Sequence, residues 1–193
     1  VHNKCASART VCGDNFCDRY ENCASDCDAG NWRDIWGEEF MIDGAQDFGG
    51  YHGSPYDEFR NAKAQEIEPL KSGIMSKVQF YIKKKPNTNT QRLVFLVMDK
   101  RKDEILRYYG PLIPNTEYEW ITFNTNLYLE EDQEYYLVLG SKPDGYDSTY
   151  GMYQWATSTG TYDRGDAWRC NVDGKPSSGM GNTDFLVRVT MEE

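Results

Sequence analysis

The sequence predicts an all-β fold: an antiparallel β-sandwich over residues 32–193, preceded by a small, irregular, disulfide-rich segment over residues 1–31. Three observations predict it. Short alternating or wholly apolar segments recur from Trp32 onward, clusters of turn-forming residues separate them, and no stretch shows sustained helical periodicity. Five of the six cysteines, Cys5, Cys12, Cys17, Cys23 and Cys27, fall before the first such segment, and only Cys170 lies within the body.

Taken in order, residues 1–31 lack any apolar period, so burial alone cannot hold them and covalent bridges must. Gly44 to Ala64, with Gly49, Gly50, Gly53 and Pro55, reads as a long loop or an outlying hairpin. Val78 to Ile82 alternates, with Val78, Phe80 and Ile82 on one face. Leu93 to Met98 is apolar on both faces and fits a central strand. Tyr118 to Phe123, Tyr135 to Leu139, Tyr150 to Trp155 and Asp184 to Thr190 complete the strands. Lys85–Asn89, Pro111–Asn115, Asn124–Asn126, Ser141–Asp147 and Asp173–Asn182 supply the turns. The uneven spacing of these connections points to a jelly roll rather than a single-sheet barrel.

Composition narrows the function. The 193 residues hold 31 acidic against 21 basic side chains, a net charge of −10, which argues against a phosphate-binding surface and hence against nucleic acid. No apolar run approaches the roughly 20 residues that span a bilayer, so membrane insertion is not expected. Fourteen Tyr, eight Phe and five Trp are too many aromatics for a solvated tail.

The cysteine spacing, Cys12-x4-Cys17-x5-Cys23-x3-Cys27, contains no C-x2-C pair, and only His2 and His52 offer imidazole, so disulfides are expected over zinc. An economical solution places two bridges within residues 12–27 and one long bridge from Cys5 to Cys170, among other pairings that spacing leaves open. Disulfides imply an oxidising, extracellular compartment. The polar start Val1-His2-Asn3-Lys4 reads as a mature secreted form, and the lack of an Asn-x-Ser/Thr sequon points to a prokaryotic source.

Two resemblances follow. The run from Cys12-Gly13-Asp14 through Cys17, Glu21 and Cys23 to Asp26-Cys27 is similar to a short repeat, C-G-[DN]-G-x-C-x-x-G-E-x-C-x-x-D-C, found in secreted bacterial and archaeal proteins; Asn15 and Tyr20 stand where that pattern has glycine. Residues from about 34 to 191 resemble extracellular jelly-roll modules of prokaryotic surface proteins, the carbohydrate-binding kind among them. Ala64-Gln65-Glu66-Ile67, Ser76 to Ile82, Trp120 to Phe123, Asp132 to Leu139, Gly165 to Arg169 and Asp184 to Val189 carry the likeness. It implies binding or scaffolding without catalysis, and a cation between acids near the first and last strands, such as Glu39 and Asp184.

Asp14, Asp18, Glu21, Asp26 and Asp28, with Asn15 and Asn22 beside them, offer the hard oxygens that calcium takes. For sugar stacking the candidates are Tyr51, Tyr56, Tyr146, Tyr153, Trp155, Tyr162 and Trp168, with Trp32, Trp36 and Tyr150 as further aromatics. Alternation through Tyr150 to Trp155 places Tyr153 and Trp155 on one face and leaves a face to be exposed. His2 and His52 lie in no nucleophile context, so no enzyme is expected. The expectation is a secreted, calcium-stabilised module that binds polysaccharide; the alternative is a structural subunit of a surface assembly or filament that binds copies of itself.

Overall fold

A computed structural model describes residues 17–18, 31–36, 44–50, 59, 61–88, 90–142, 150–159, 165–181 and 183–192. Its elements are β1 (Cys17–Asp18), β2 (Asn31–Trp36), β3 (Gly44–Gly50), β4 (Lys63–Ile67), β5 (Gly73–Lys84), β6 (Arg92–Asp99) and β7 (Glu104–Leu112), followed by β8 (Glu119–Leu129), β9 (Tyr135–Lys142), β10 (Tyr150–Thr159), β11 (Ala167–Cys170), β12 (Pro176–Gly179), β13 (Thr183–Phe185) and β14 (Val187–Glu192). No helix occurs among the described residues.

The strands form two sheets. Sheet A has eight strands, in the order β1-β2-β14-β5-β10-β13, with β3 on β10 and β8 on β5; sheet B has six, in the order β12-β11-β4-β9-β6-β7. All pairings are antiparallel except the two-residue β1–β2 ladder. The all-β expectation is met, and each segment expected as a strand lies in or beside one.

Burial explains the packing. In β5 the apolar residues Val78, Phe80 and Ile82 point inward, and in sheet B Leu93, Phe95 and Val97 point back at them. Phe80 and Phe95 meet across the two sheets with ring centroids 5.1 Å apart, edge to face. This interdigitation is what holds two antiparallel sheets face to face. At one end β3 closes on β9. Gly49, at φ 70°, would place a Cβ only 2.3 Å from Ser141 Oγ, so glycine is required there.

Three local expectations are corrected. Gly44 to Gly50 is not loop but strand β3, hydrogen-bonded along β10 from Gly44↔Thr157 to Gly50↔Tyr150. Its three glycines read as turn formers, yet Phe48 anchors it in the core. Asn124–Asn126 is no turn: Met75 pairs with Leu127 while Lys77 pairs with Asn124, so β8 spends one extra residue in a β-bulge. Pro111, expected to open a turn, is the penultimate residue of edge strand β7, and the connection begins after Leu112.

Candidate functional site

Tyr153 and Trp155, expected on an exposed face, are core residues at 0% exposure. They share one face, as alternation requires, but that face is turned into the core between the sheets; β10 also carries one residue more than β3 between Tyr150 and Tyr153, and Met152 is buried as well. Trp155 stacks on Phe185 at 4.2 Å and donates its indole N–H to the Leu186 carbonyl at 2.9 Å. The Tyr153 hydroxyl donates to the Gln91 carbonyl and accepts from the Gln91 N–H. Both polar tips are thus satisfied inside, as buried Tyr and Trp require. Tyr51, Tyr56, Tyr146 and Tyr162 lie outside the described residues, as do Asp14, Glu21, Asp26, Asp28, Glu39, Cys5, Cys12, Cys23 and Cys27; for Asp18, Cys17, Trp32, Trp36 and Tyr150 only the strand placement is described.

Trp168, on β11, is half-buried on the outer face of sheet B. Its indole N–H donates to Glu66 Oε2 at 2.7 Å, its ring meets Tyr136 edge-on at 6.0 Å, and Lys102 Nζ stands 5.1 Å from its centroid. Burial raises the Glu66 carboxyl above its ordinary range, and the nearby charges of Glu134, Asp166 and Glu68 add to the rise. Cys170, on the same strand, carries a free thiol pushed up to about 12 by burial; Cys5, its expected bridge partner, is outside the described residues. Lys63, buried on β4, donates to Asn61 Oδ1 at 2.7 Å, and burial lowers its ammonium to about 8. Asp184 is buried and accepts from Gln65 Nε2 at 3.4 Å. No group of three or more His, Cys, Asp or Glu able to hold a metal ion occurs among the described residues.

The aromatic surface that the described residues do form lies on the outer face of sheet A. Because Val78, Phe80 and Ile82 turn inward, Lys77, Gln79, Tyr81 and Lys83 must turn outward. Register then sets Gln79 beside Thr122 and Tyr81 beside Trp120 of β8, Lys83 beside Gln154 of β10, and Arg188 of β14 beside Gln79. The rings of Tyr118, Tyr81 and Trp120 form a ladder. Tyr118 stacks on Tyr81 with centroids 5.3 Å apart and planes 23° apart, and Tyr81 lies 4.9 Å from Trp120 at 33°. Cations cap both ends: Lys83 Nζ is 4.5 Å from the Tyr118 centroid and Arg188 Cζ 4.0 Å from that of Trp120.

Polar groups surround the ladder. Gln79 Nε2 donates to Thr122 Oγ1 at 3.0 Å. Asp47 accepts from Lys85 Nζ at 2.6 Å and from Gln154 Nε2 at 3.0 Å. Burial acts to raise the Asp47 carboxyl, but these two hydrogen bonds and the charges of Lys85 and Lys63 outweigh it and hold it below its ordinary value. Burial raises the Tyr118 hydroxyl, and the Asp47 charge adds to that. Chemically the face offers aromatic rings, phenol groups, amides and cations within one register.

Neither Tyr81, Tyr118 nor Trp120 stood among the sequence candidates. The signal was present in the alternation of β5, whose inward triad already assigned Tyr81 to the opposite face. The strand partner that brings Trp120 to it is set by long-range pairing. No protein-family model matches this chain, and no curated protein matches it.

Proposed function

We propose that the chain is a non-catalytic, secreted binding module that holds a polysaccharide on the outer face of sheet A. The observation that carries this is the Tyr118–Tyr81–Trp120 ladder, half-buried and rimmed by Gln79, Thr122, Asp47, Gln154, Lys83 and Arg188. Rigid aromatics with few rotatable bonds supply contact area at low entropic cost, and the amides and charges around them match sugar hydroxyls. Within this reading the fold is a jelly roll. In support, β3, β10, β5 and β8 lie side by side in one sheet and β4, β9, β6 and β7 in the other, so that the chain passes between layers as a double Greek key does. Disulfides among the clustered cysteines and calcium at Asp14, Asp18, Glu21, Asp26 and Asp28 would staple the segment that precedes it.

Affinity electrophoresis of the full chain through a panel of soluble polysaccharides tests the proposal. Retardation by at least one polymer, lost in Trp120→Ala and kept in Tyr128→Ala, supports it; uniform mobility across neutral and acidic polymers refutes it. Calorimetric titration of chelator-stripped protein with calcium tests the metal assignment, and heat without a saturable site removes it.

A second reading, a subunit of an extracellular assembly, draws on β7. Among the described residues this nine-residue strand pairs on one side only, with β6, and it exposes Ile105, Tyr109 and Leu112. Such an edge is a template for strand addition. A protein that stays monomeric by light scattering at high concentration with calcium present would exclude it.

A further inference from the structure

Resting on the polysaccharide reading, we propose that the ligand of the sheet A face is an acidic polysaccharide, whose carboxylate or sulfate groups are held by Lys77 and Lys83 along the ring ladder. The first argument is which surfaces of the rings remain open. Tyr81 packs against both Tyr118 and Trp120. Lys83 stands over the Tyr118 ring and Arg188 over that of Trp120. A neutral sugar that lays its C–H face on either of these rings competes with the cation already there. An anionic sugar meets the same cations where they already stand, and beside them ring edges, whose hydrogens carry partial positive charge.

Charge gives the second argument. The chain as a whole is at −10, so a polyanion is repelled by most of its surface and needs a local cationic track. β5 supplies one. Lys77 and Lys83 project from the same face six residues apart, about 20 Å at the rise of a strand. Neither makes an ion pair among the described residues, whereas Lys85, at the end of the row, is neutralised by Asp47 at 2.6 Å. Gln79, Tyr81 and Thr122 fill the interval with hydrogen-bonding groups. The arrangement is a short cationic row on an aromatic support, long enough for several linked sugars, and Asp47, an acid on its rim, is paired with Lys85.

The test is calorimetry and affinity electrophoresis of the full chain with four probes: polygalacturonate, heparin, a neutral xylan and a single-stranded oligonucleotide, each at about 50 and about 500 mM NaCl. The expected result is binding of polygalacturonate or heparin that weakens about tenfold or more at the higher salt, as screening of cation contacts requires. The double variant Lys77→Ala/Lys83→Ala should lower that affinity about tenfold while leaving the thermal transition in place. Neutral xylan bound as tightly as the acidic glycans, without salt dependence, would overturn this inference and leave the polysaccharide reading standing. Equal binding of the oligonucleotide would overturn it too, by showing a response to charge alone. No binding of either glycan class would remove both.

Discussion

On the outer face of sheet A, Gln79, Tyr81, Trp120 and Arg188 keep part of their surface in water and Thr122 is exposed, whereas on the outer face of sheet B, Ala64, Val94, Leu96, Met98 and Val138 keep almost none. The two sheets share one core between them, but among the described residues only sheet B has a second core behind it, which also takes in Phe59, Ala62 and Tyr136, with Trp168 and Cys170 packed against it. Gly174, at φ 80°, lets the turn after β11 close over Phe59: a Cβ there would sit 2.7 Å from the Phe59 ring. Arg107 covers the same ring from β7 at 5.2 Å. The difference teaches that one aromatic-rich sequence uses its rings in two ways. Where both faces of a strand are apolar the rings are packing; where only one face is apolar, the rings opposite it keep part of their surface exposed.

The largest effects should therefore come from the buried side. Trp155→Ala removes a ring fully enclosed by Phe48, Phe80 and Phe185 and should cost about 3–5 kcal/mol of stability. Leu96→Ala, on the outer face of sheet B, should cost about 2–5 kcal/mol even though it touches nothing between the sheets. Urea denaturation reads both. A loss under about 1 kcal/mol for Leu96→Ala would mean that sheet B has no second core, and the contrast between the faces would fall.

Lys63 sharpens the same contrast through pH. Its folded value, about 8, lies below its ordinary 10.5, because burial disfavours the ammonium. The folded protein therefore pays to keep Lys63 charged at neutral pH, and stability rises as pH climbs from about 8 toward 10.5, where the unfolded chain still holds the proton that the folded chain has released. Relative to Lys63→Met, which lacks this linkage, the wild type should gain about 1–3 kcal/mol across that window. A constant difference between the two proteins from pH 7.5 to 10.5 would show that Lys63 is hydrated.

On the exposed face the expected changes are in binding. Trp120→Ala should lower polysaccharide affinity about tenfold, roughly 1.4 kcal/mol, while costing no more than about that in stability, since Arg188 and Tyr81 lose only a neighbour. If Trp120→Ala unfolds the chain as readily as Trp155→Ala, the ladder is core and the site is misplaced.

How much of this was legible in the sequence depends on how far apart the deciding residues lie. The inward triad Val78, Phe80 and Ile82 and the doubly apolar Leu93 to Met98 are local patterns, and both strands follow from them. The ladder needed one step more, from the inward triad to Tyr81, and then a register between β5 and β8, which periodicity does not contain. Tyr153 and Trp155 misled because alternation says that they share a face but not that this face meets the core, which pairing decides; the register shift before Tyr153 is marked only by Gly151. Strand β3 was obscured by Gly44, Gly49 and Gly50, glycines that serve close approach as well as turns. Abundance of aromatics announced that rings matter, but burial, which decides between packing and binding, is a property of pairing.

The smallest expected effect belongs to Asp47, the exposed-face counterpart of Lys63. Its carboxylate is held below its ordinary 3.8: burial opposes ionisation, but the bonds from Lys85 and Gln154 and the charges of Lys85 and Lys63 favour it. The folded value being the lower one, the stabilisation is present above the unfolded value and drains away as pH falls through the folded one. Lys85 and Asp47 keep side-chain exposures of 32% and 44%, so solvent screens the pair and it should contribute no more than about 1 kcal/mol. Asp47→Asn should therefore lose about 0.2–1 kcal/mol at pH 7 in low salt, less in high salt, and should match the wild type once pH drops well below 3.8. Denaturation at pH 7 and at acid pH, at two ionic strengths, measures this. A loss above about 2 kcal/mol that salt does not reduce would mean that Asp47 sits in a dry environment like that of Lys63, and the outer face of sheet A would then be a covered surface rather than a binding one.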